Sequence, residues 1–180
     1  MSERVWYFAY GSNMQPGTFA GRRGITPSRT LPARAPGWRL VLDKPPVLPI
    51  NESFANMVAD RDALTYGVLY EVTADDLAHI DLTEGVLIGN YARVEIAVEP
   101  LAGEGPRRAF TLVTDQHAPD LQPSDYYMAL LIEGAELHGL PAEWIAMLRT
   151  VPTCVASAHA TESRRVLNAG LAMAKKLRGG

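Results

Sequence analysis

YARVEIAVEPLAGEGPRRAFTLVT, residues 91–114, decides the class of fold. From Tyr91 to Val98 the residues alternate, with Ala92, Val94, Ile96 and Val98 on one face and Tyr91, Arg93 and Glu95 on the other, the period of a half-buried strand. The run Arg107–Thr114 is its expected partner across the turn formers Gly103-Glu104-Gly105-Pro106, so the stretch reads as a hairpin. Towards the N-terminus the pattern stays strand-like. Val5 to Tyr10 (VWYFAY) is an aromatic and β-branched run that stops at Gly11-Ser12-Asn13. A short helical stretch follows near Gln15–Arg22, then an irregular strand within Ser28–Asp43, and a loop at Lys44–Ile50 that holds three prolines. Phe54–Ala59 and Tyr66–Val72 read as two further strands, able to pair as a hairpin across Asp60-Arg61-Asp62. Thr73 with Asp76 three residues on signals a helix start, followed by the apolar stripe Leu77, Ile80 and Leu82 and an end at Gly85.

Towards the C-terminus the period becomes helical. Tyr127, Leu130, Leu131 and Ala135 share a face after Ser124, Gly139 ends that helix, and Pro141 opens the next. A last amphipathic helix is expected at about 161–177. Strands first and helices last predict an α+β domain in place of alternating parallel units. With 180 residues, 47% of them hydrophobic, the chain is long enough for one core, and a single domain over residues 1–180 is expected.

Composition narrows the function. The net charge is −3 and the basic residues form no block, which argues against a nucleic-acid partner. Cys154 is the single cysteine, so neither an intrachain disulfide nor a thiolate metal cluster can form, which suits a reducing, cytoplasmic setting. The N-terminal apolar run is too short to span a bilayer and lacks a cleavage site, so no membrane association is expected. There is no phosphate-binding loop, and Gly103-Glu104-Gly105 lacks the third glycine and the following helix of a dinucleotide site. His79, His117, His138 and His159 show no ligand spacing, so neither a metal nor a cofactor is expected.

Two features carry chemistry. The passage Phe8–Met14 leaves a strand at Gly11, where the backbone can approach a ligand closely and successive N–H groups can converge on an anion. Thr83-Glu84-Gly85 sets an acid just past a helix and before the strand at Tyr91, where Leu82, Val86, Leu87 and Tyr91 are expected to bury it. On residues alone the blander readings lead, Gly-Ser-Asn as a plain turn and Glu84 as a solvated loop carboxylate.

Three stretches in order, FAYGSNM (8–14), TEGVLIGNYARVEIAV (83–98) and PSDYYMALLIEGAELHGLP (123–141), resemble the gamma-glutamylcyclotransferases. The resemblance implies a small mixed β-barrel flanked by helices and an enzyme that closes a gamma-glutamyl group into 5-oxoproline. Glu84 would be its acid/base, with Tyr10, Gly11, Ser12, Asn13, Tyr91 and Tyr127 around the glutamyl group. In the strand where many relatives place an aromatic pocket residue, this chain offers Phe110 and Thr111. The partner implied is a small-molecule gamma-glutamyl substrate; a homodimer is compatible with the reading. Two rival readings stand beside it: a non-catalytic module that binds a glutamyl or acidic ligand, and an amidohydrolase with Ser12 as nucleophile. The second lacks a neighbouring base and the Gly-x-Ser-x-Gly elbow, and Cys154, among Val151, Pro152 and Val155, is expected to be packed.

Overall fold

The computed structural model describes residues 3–103, 105–156 and 162. Five strands close into a barrel in the order β1-β3-β2-β4-β5. They are β1 (Arg4–Ala9), β2 (Arg29–Lys44), β3 (Phe54–Thr73), β4 (Ala92–Pro100) and β5 (Arg107–Val113). Neighbours pair antiparallel except at the closure, where β1 meets β5 in parallel at Tyr7 and Phe110, so the barrel is mixed as the resemblance implied. The expected hairpin is β4–β5, in register from Ala92 opposite Val113 to Val98 opposite Arg107. Its alternation is realised as burial: Ile96 and Val98 face the core, while Glu95 and Ala97 face solvent.

The expected hairpin within 54–72 is instead one 20-residue strand, β3. Its N-terminal half pairs with β2 from Phe54 opposite Lys44 to Ala59 opposite Trp38, and its C-terminal half resumes at Leu64 opposite Pro36. The surplus residues, among them Asp60-Arg61-Asp62, bulge outward. The tract lacks the glycine or proline of a tight turn, and both halves find a partner in the long β2 in preference to each other.

Helix α1 (Ala74–Thr83) opens with the expected capping box: Thr73 Oγ1 accepts from the Asp76 N–H at 3.1 Å and Asp76 Oδ2 from the Thr73 N–H at 3.4 Å. Leu77 and Ile80 are buried beneath it, whereas Leu82 is 62% exposed. Helix α2 (Asp125–Leu137) starts at Ser124, whose Oγ accepts from the Tyr127 N–H, and α3 (Ala142–Arg149) follows Pro141. The helix expected at 161–177 lies outside the described residues, residue 162 excepted. No helix among the described residues is long and apolar enough to cross a membrane.

Two packing features set the site. Phe19, on a π-helical turn (Gly17–Arg22), stacks on Tyr70 with centroids 4.2 Å apart and lies parallel to Tyr7 at 6.0 Å, which fixes that turn against the barrel. The Arg23 N–H closes the turn on Thr18 O at 3.2 Å, and this wider step carries Arg23 inward. Helix α2 meets the 3₁₀ turn Ser12–Met14 at Gly134, where a Cβ would stand 2.8 Å from the Met14 backbone. Gly134→Ala must therefore push this loop aside; we expect a loss of about 1–3 kcal/mol in urea unfolding, with weakened ligand binding because Ser12 and Asn13 move.

Candidate functional site

One mouth of the barrel opens into a cavity of about 430 Å³ whose wall includes Tyr10, Ser12, Lys44, Glu84, Tyr91 and Tyr127. All seven residues expected around the site, Gly11 and Asn13 being the others, meet there. Glu84 is the one carboxylic acid among the described residues lining the cavity, and no histidine lines it.

Glu84 caps the C-terminal end of α1, its N–H on Ile80 O at 2.9 Å, and Gly85 follows at φ +74° and turns the chain away. The apolar cradle expected around the carboxylate is absent, since Leu82 and Leu87 are 62% and 83% exposed. Polar groups hold it instead. Oε1 accepts from Asn13 Nδ2 at 2.9 Å and pairs with Arg23 Nη2 at 2.5 Å. No described residue hydrogen-bonds the other oxygen, Oε2.

Asn13 is buried, and its amide is fully committed: Nδ2 also donates to the Tyr7 hydroxyl at 3.0 Å, and Oδ1 accepts from Arg23 Nε at 2.8 Å. It thus positions Glu84 more directly than it faces a ligand. Arg23 completes the set by donating through Nη1 to Thr83 Oγ1. Sequence reading passed over Arg23; the signal was a second arginine, Arg22-Arg23, at the end of a stretch read as an ordinary helix.

The tyrosines form the wall. Tyr127 OH accepts from the Ala55 N–H at 3.1 Å and Tyr91 OH donates to Ala55 O at 2.9 Å, so the two phenols clasp one residue of β3. Tyr10 OH donates to Leu112 O. Gly11 passes beneath Tyr127, where a Cβ would lie 3.2 Å from the phenol oxygen. Burial pushes the pKa values of Tyr7, Tyr10, Tyr91 and Tyr127 well above the ordinary phenol value, so all four are neutral donors and acceptors at pH 7. Phe110 and Thr111 stand apart from the cavity: Thr111 Oγ1 donates to Phe8 O at 2.9 Å, and Phe110 lies under Arg93. Cys154 is not part of the cavity lining and lies beside Gln122 and Asn51, and among the described residues no group of three His, Cys, Asp or Glu side chains is arranged to hold a metal ion.

Residues 65–148 match the model of the AIG2-like family. A gamma-glutamyl cyclotransferase of Aspergillus oryzae is 31% identical over 170 residues, which are 83% of this chain and 62% of that protein. The human gamma-glutamylcyclotransferase is 30% identical over 87 residues, 48% of this chain and 45% of that one. The chain thus spans less than two thirds of the length of these relatives. A solved structure of a gamma-glutamyl cyclotransferase shares the fold with a TM-score of 0.77 at 21% identity, covering 89% of this chain and 97% of that chain. Over residues 65–148 the chain is thus similar to the AIG2-like family, and its closed mixed barrel is the fold of the solved gamma-glutamyl cyclotransferase.

Proposed function

We propose that the protein is a gamma-glutamylcyclotransferase in which Glu84 is the acid/base. The observation that supports this reading is a single carboxylate on the cavity wall, tied down through Oε1 by Asn13 and Arg23, with Oε2 left for a ligand. The substrate's own α-amine is the nucleophile, so the enzyme has to fold the glutamyl chain and move a proton. The amine nitrogen bonds to the γ-carbonyl carbon and passes its proton to Glu84. The amide C–N bond then breaks, Glu84 returns the proton to the departing nitrogen, and 5-oxoproline and a free amine result with no water consumed. Backbone N–H groups of the Gly11–Asn13 loop are the donors for the α-carboxylate or the developing oxyanion. The buried phenols supply a dry wall, which strengthens these contacts. A cytoplasmic location fits the single free Cys154.

Incubation with a panel of gamma-glutamyl amides and analysis of the product tests the reading. We expect 5-oxoproline, and free glutamate as the main product would make the protein a hydrolase. Ser12→Ala separates the same alternatives. A serine that only binds, close to Tyr127 OH, should cost roughly 1 kcal/mol in ligand binding and leave turnover measurable. Complete loss of activity together with a trapped acyl-enzyme would establish Ser12 as a nucleophile.

A further inference from the structure

Besides Glu84 and the arginines Arg22 and Arg23, the cavity wall carries Lys44, a charge that the reaction above does not use. Lys44 ends β2 just after its second bulge and is 2% exposed. Its ammonium donates to Pro45 O at 2.6 Å and to Asn90 Oδ1, and lies 5.0 Å from the centre of the Tyr91 ring. Both acceptors are neutral, and no carboxylate of the described residues forms an ion pair with it. Burial draws its pKa down to about 8 while the charge of Glu84 acts the other way, so the ammonium prevails at neutral pH. A buried cation without a counter-ion is costly, and on a ligand cavity an anionic ligand group relieves that cost.

The lining turns apolar directly after Lys44. Pro46, Val47, Leu48 and Ile50 border the cavity, with Val47 and Leu48 58% and 44% exposed, and Ile88 beside Glu84 is 73% exposed. Aliphatic side chains around a cavity mouth lose their contact with water when an apolar ligand fills it.

We propose that Lys44 and residues 46–50 form the leaving-group subsite, Lys44 holding the carboxylate of an apolar α-amino acid whose side chain packs on Pro46, Val47, Leu48 and Ile50. The inference rests on the cyclotransferase reading of Glu84. The placement follows from connectivity. Asn90 links the two residues, its Nδ2 donating to the main-chain carbonyl of Glu84 at 2.8 Å and its Oδ1 accepting from the Lys44 ammonium. The ammonium therefore lies on the same cavity wall as Glu84, one side chain away from its main chain, and the carboxylate of a leaving amino acid is only two bonds from the nitrogen that Glu84 protonates. The α-carboxylate of the glutamyl group keeps the Gly11–Asn13 loop, so the two carboxylates meet different donors.

The test compares gamma-glutamyl-L-leucine with gamma-glutamyl-3-methylbutylamide, the same amide without the leaving carboxylate, on the parent, Lys44→Gln and Lys44→Arg. The parent should favour the dipeptide in kcat/KM by about tenfold or more, the scale of a charge-assisted hydrogen bond. Lys44→Gln should bring the ratio of the two substrates towards one, mainly through KM of the dipeptide, and Lys44→Arg should keep most of the preference. Gamma-glutamylglycine should fall below gamma-glutamyl-L-leucine. Equal losses on both amides in Lys44→Gln, or no preference in the parent, overturn the proposal. Titration calorimetry with L-leucine against 3-methylbutylamine reads the same subsite without turnover, and L-leucine binding that ignores Lys44 overturns it too. Absence of 5-oxoproline from every substrate would sink the cyclotransferase reading, and the calorimetric arm would still decide on the subsite.

Discussion

Glu84→Gln is expected to leave a folded protein that still binds a gamma-glutamyl ligand but turns over at least about a hundredfold more slowly, the scale of a general acid/base. The substitution keeps the size and shape of the side chain. An amide oxygen in the place of Oε1 can still accept from Asn13 Nδ2 and Arg23, so the loop at Ser12–Met14 keeps its anchor. What disappears is the atom that, in the proposed reaction, takes a proton from the α-amine and returns it to the leaving nitrogen. No neighbour can substitute, because Glu84 is the only carboxylic acid among the described residues lining the cavity and the surrounding phenols have pKa values pushed well above the ordinary one. Ligand binding and turnover must be measured separately, by calorimetry with 5-oxoproline and by single-turnover product formation. Near-parent turnover in Glu84→Gln would remove the role argued for this residue. Lost binding together with lost turnover would mean that the carboxylate serves chiefly to bind.

Local signals carried the parts of the fold that local forces decide. The β4–β5 hairpin was legible because alternation and turn formers lie within one window, and so was the start of α1, because a capping box is complete within four residues. The continuous β3 was not. Whether Phe54–Ala59 pairs with Tyr66–Val72 or both pair with β2 depends on the pairing of a distant strand, which leaves no period within either segment. At the site, the seven resembling residues came together at one mouth, yet Arg23, which holds Glu84 alongside Asn13, and Lys44 were missed. Arg23 is aimed by a π-helical turn and by stacking of Phe19 on Tyr70, neither of which has a sequence period. Lys44 reads as one charge before two prolines, and its partners at the cavity, Asn90 and Tyr91, are more than forty residues away in sequence, just before the neighbouring strand β4.

Arg23→Met should have the largest effect on stability, a loss of about 3 kcal/mol, the lower end of the range for breaking a buried ion pair. Arg23 is buried, its side chain 5% exposed, and it donates to Asn13 Oδ1, Thr83 Oγ1 and Glu84 Oε1 from its three nitrogens. Methionine fills a similar volume but leaves the Asn13 carbonyl buried without a donor and the Glu84 carboxylate without its cation. Glu84 is 20% exposed on its side chain, so water recovers part of the second loss, and this places the effect at the lower end. Arg23→Lys restores the charge without the planar fork, so one of the three contacts can be kept at most, and its stability should fall between parent and Arg23→Met. Urea unfolding at constant m-value measures the loss. Turnover should fall in both variants, because a carboxylate released from Arg23 no longer holds one direction towards the substrate nitrogen, and the fall should appear in kcat more than in KM. If Arg23→Met matched the parent in both stability and kcat, Glu84 would have to be held by Asn13 alone, and the arginine would be a bystander to the site.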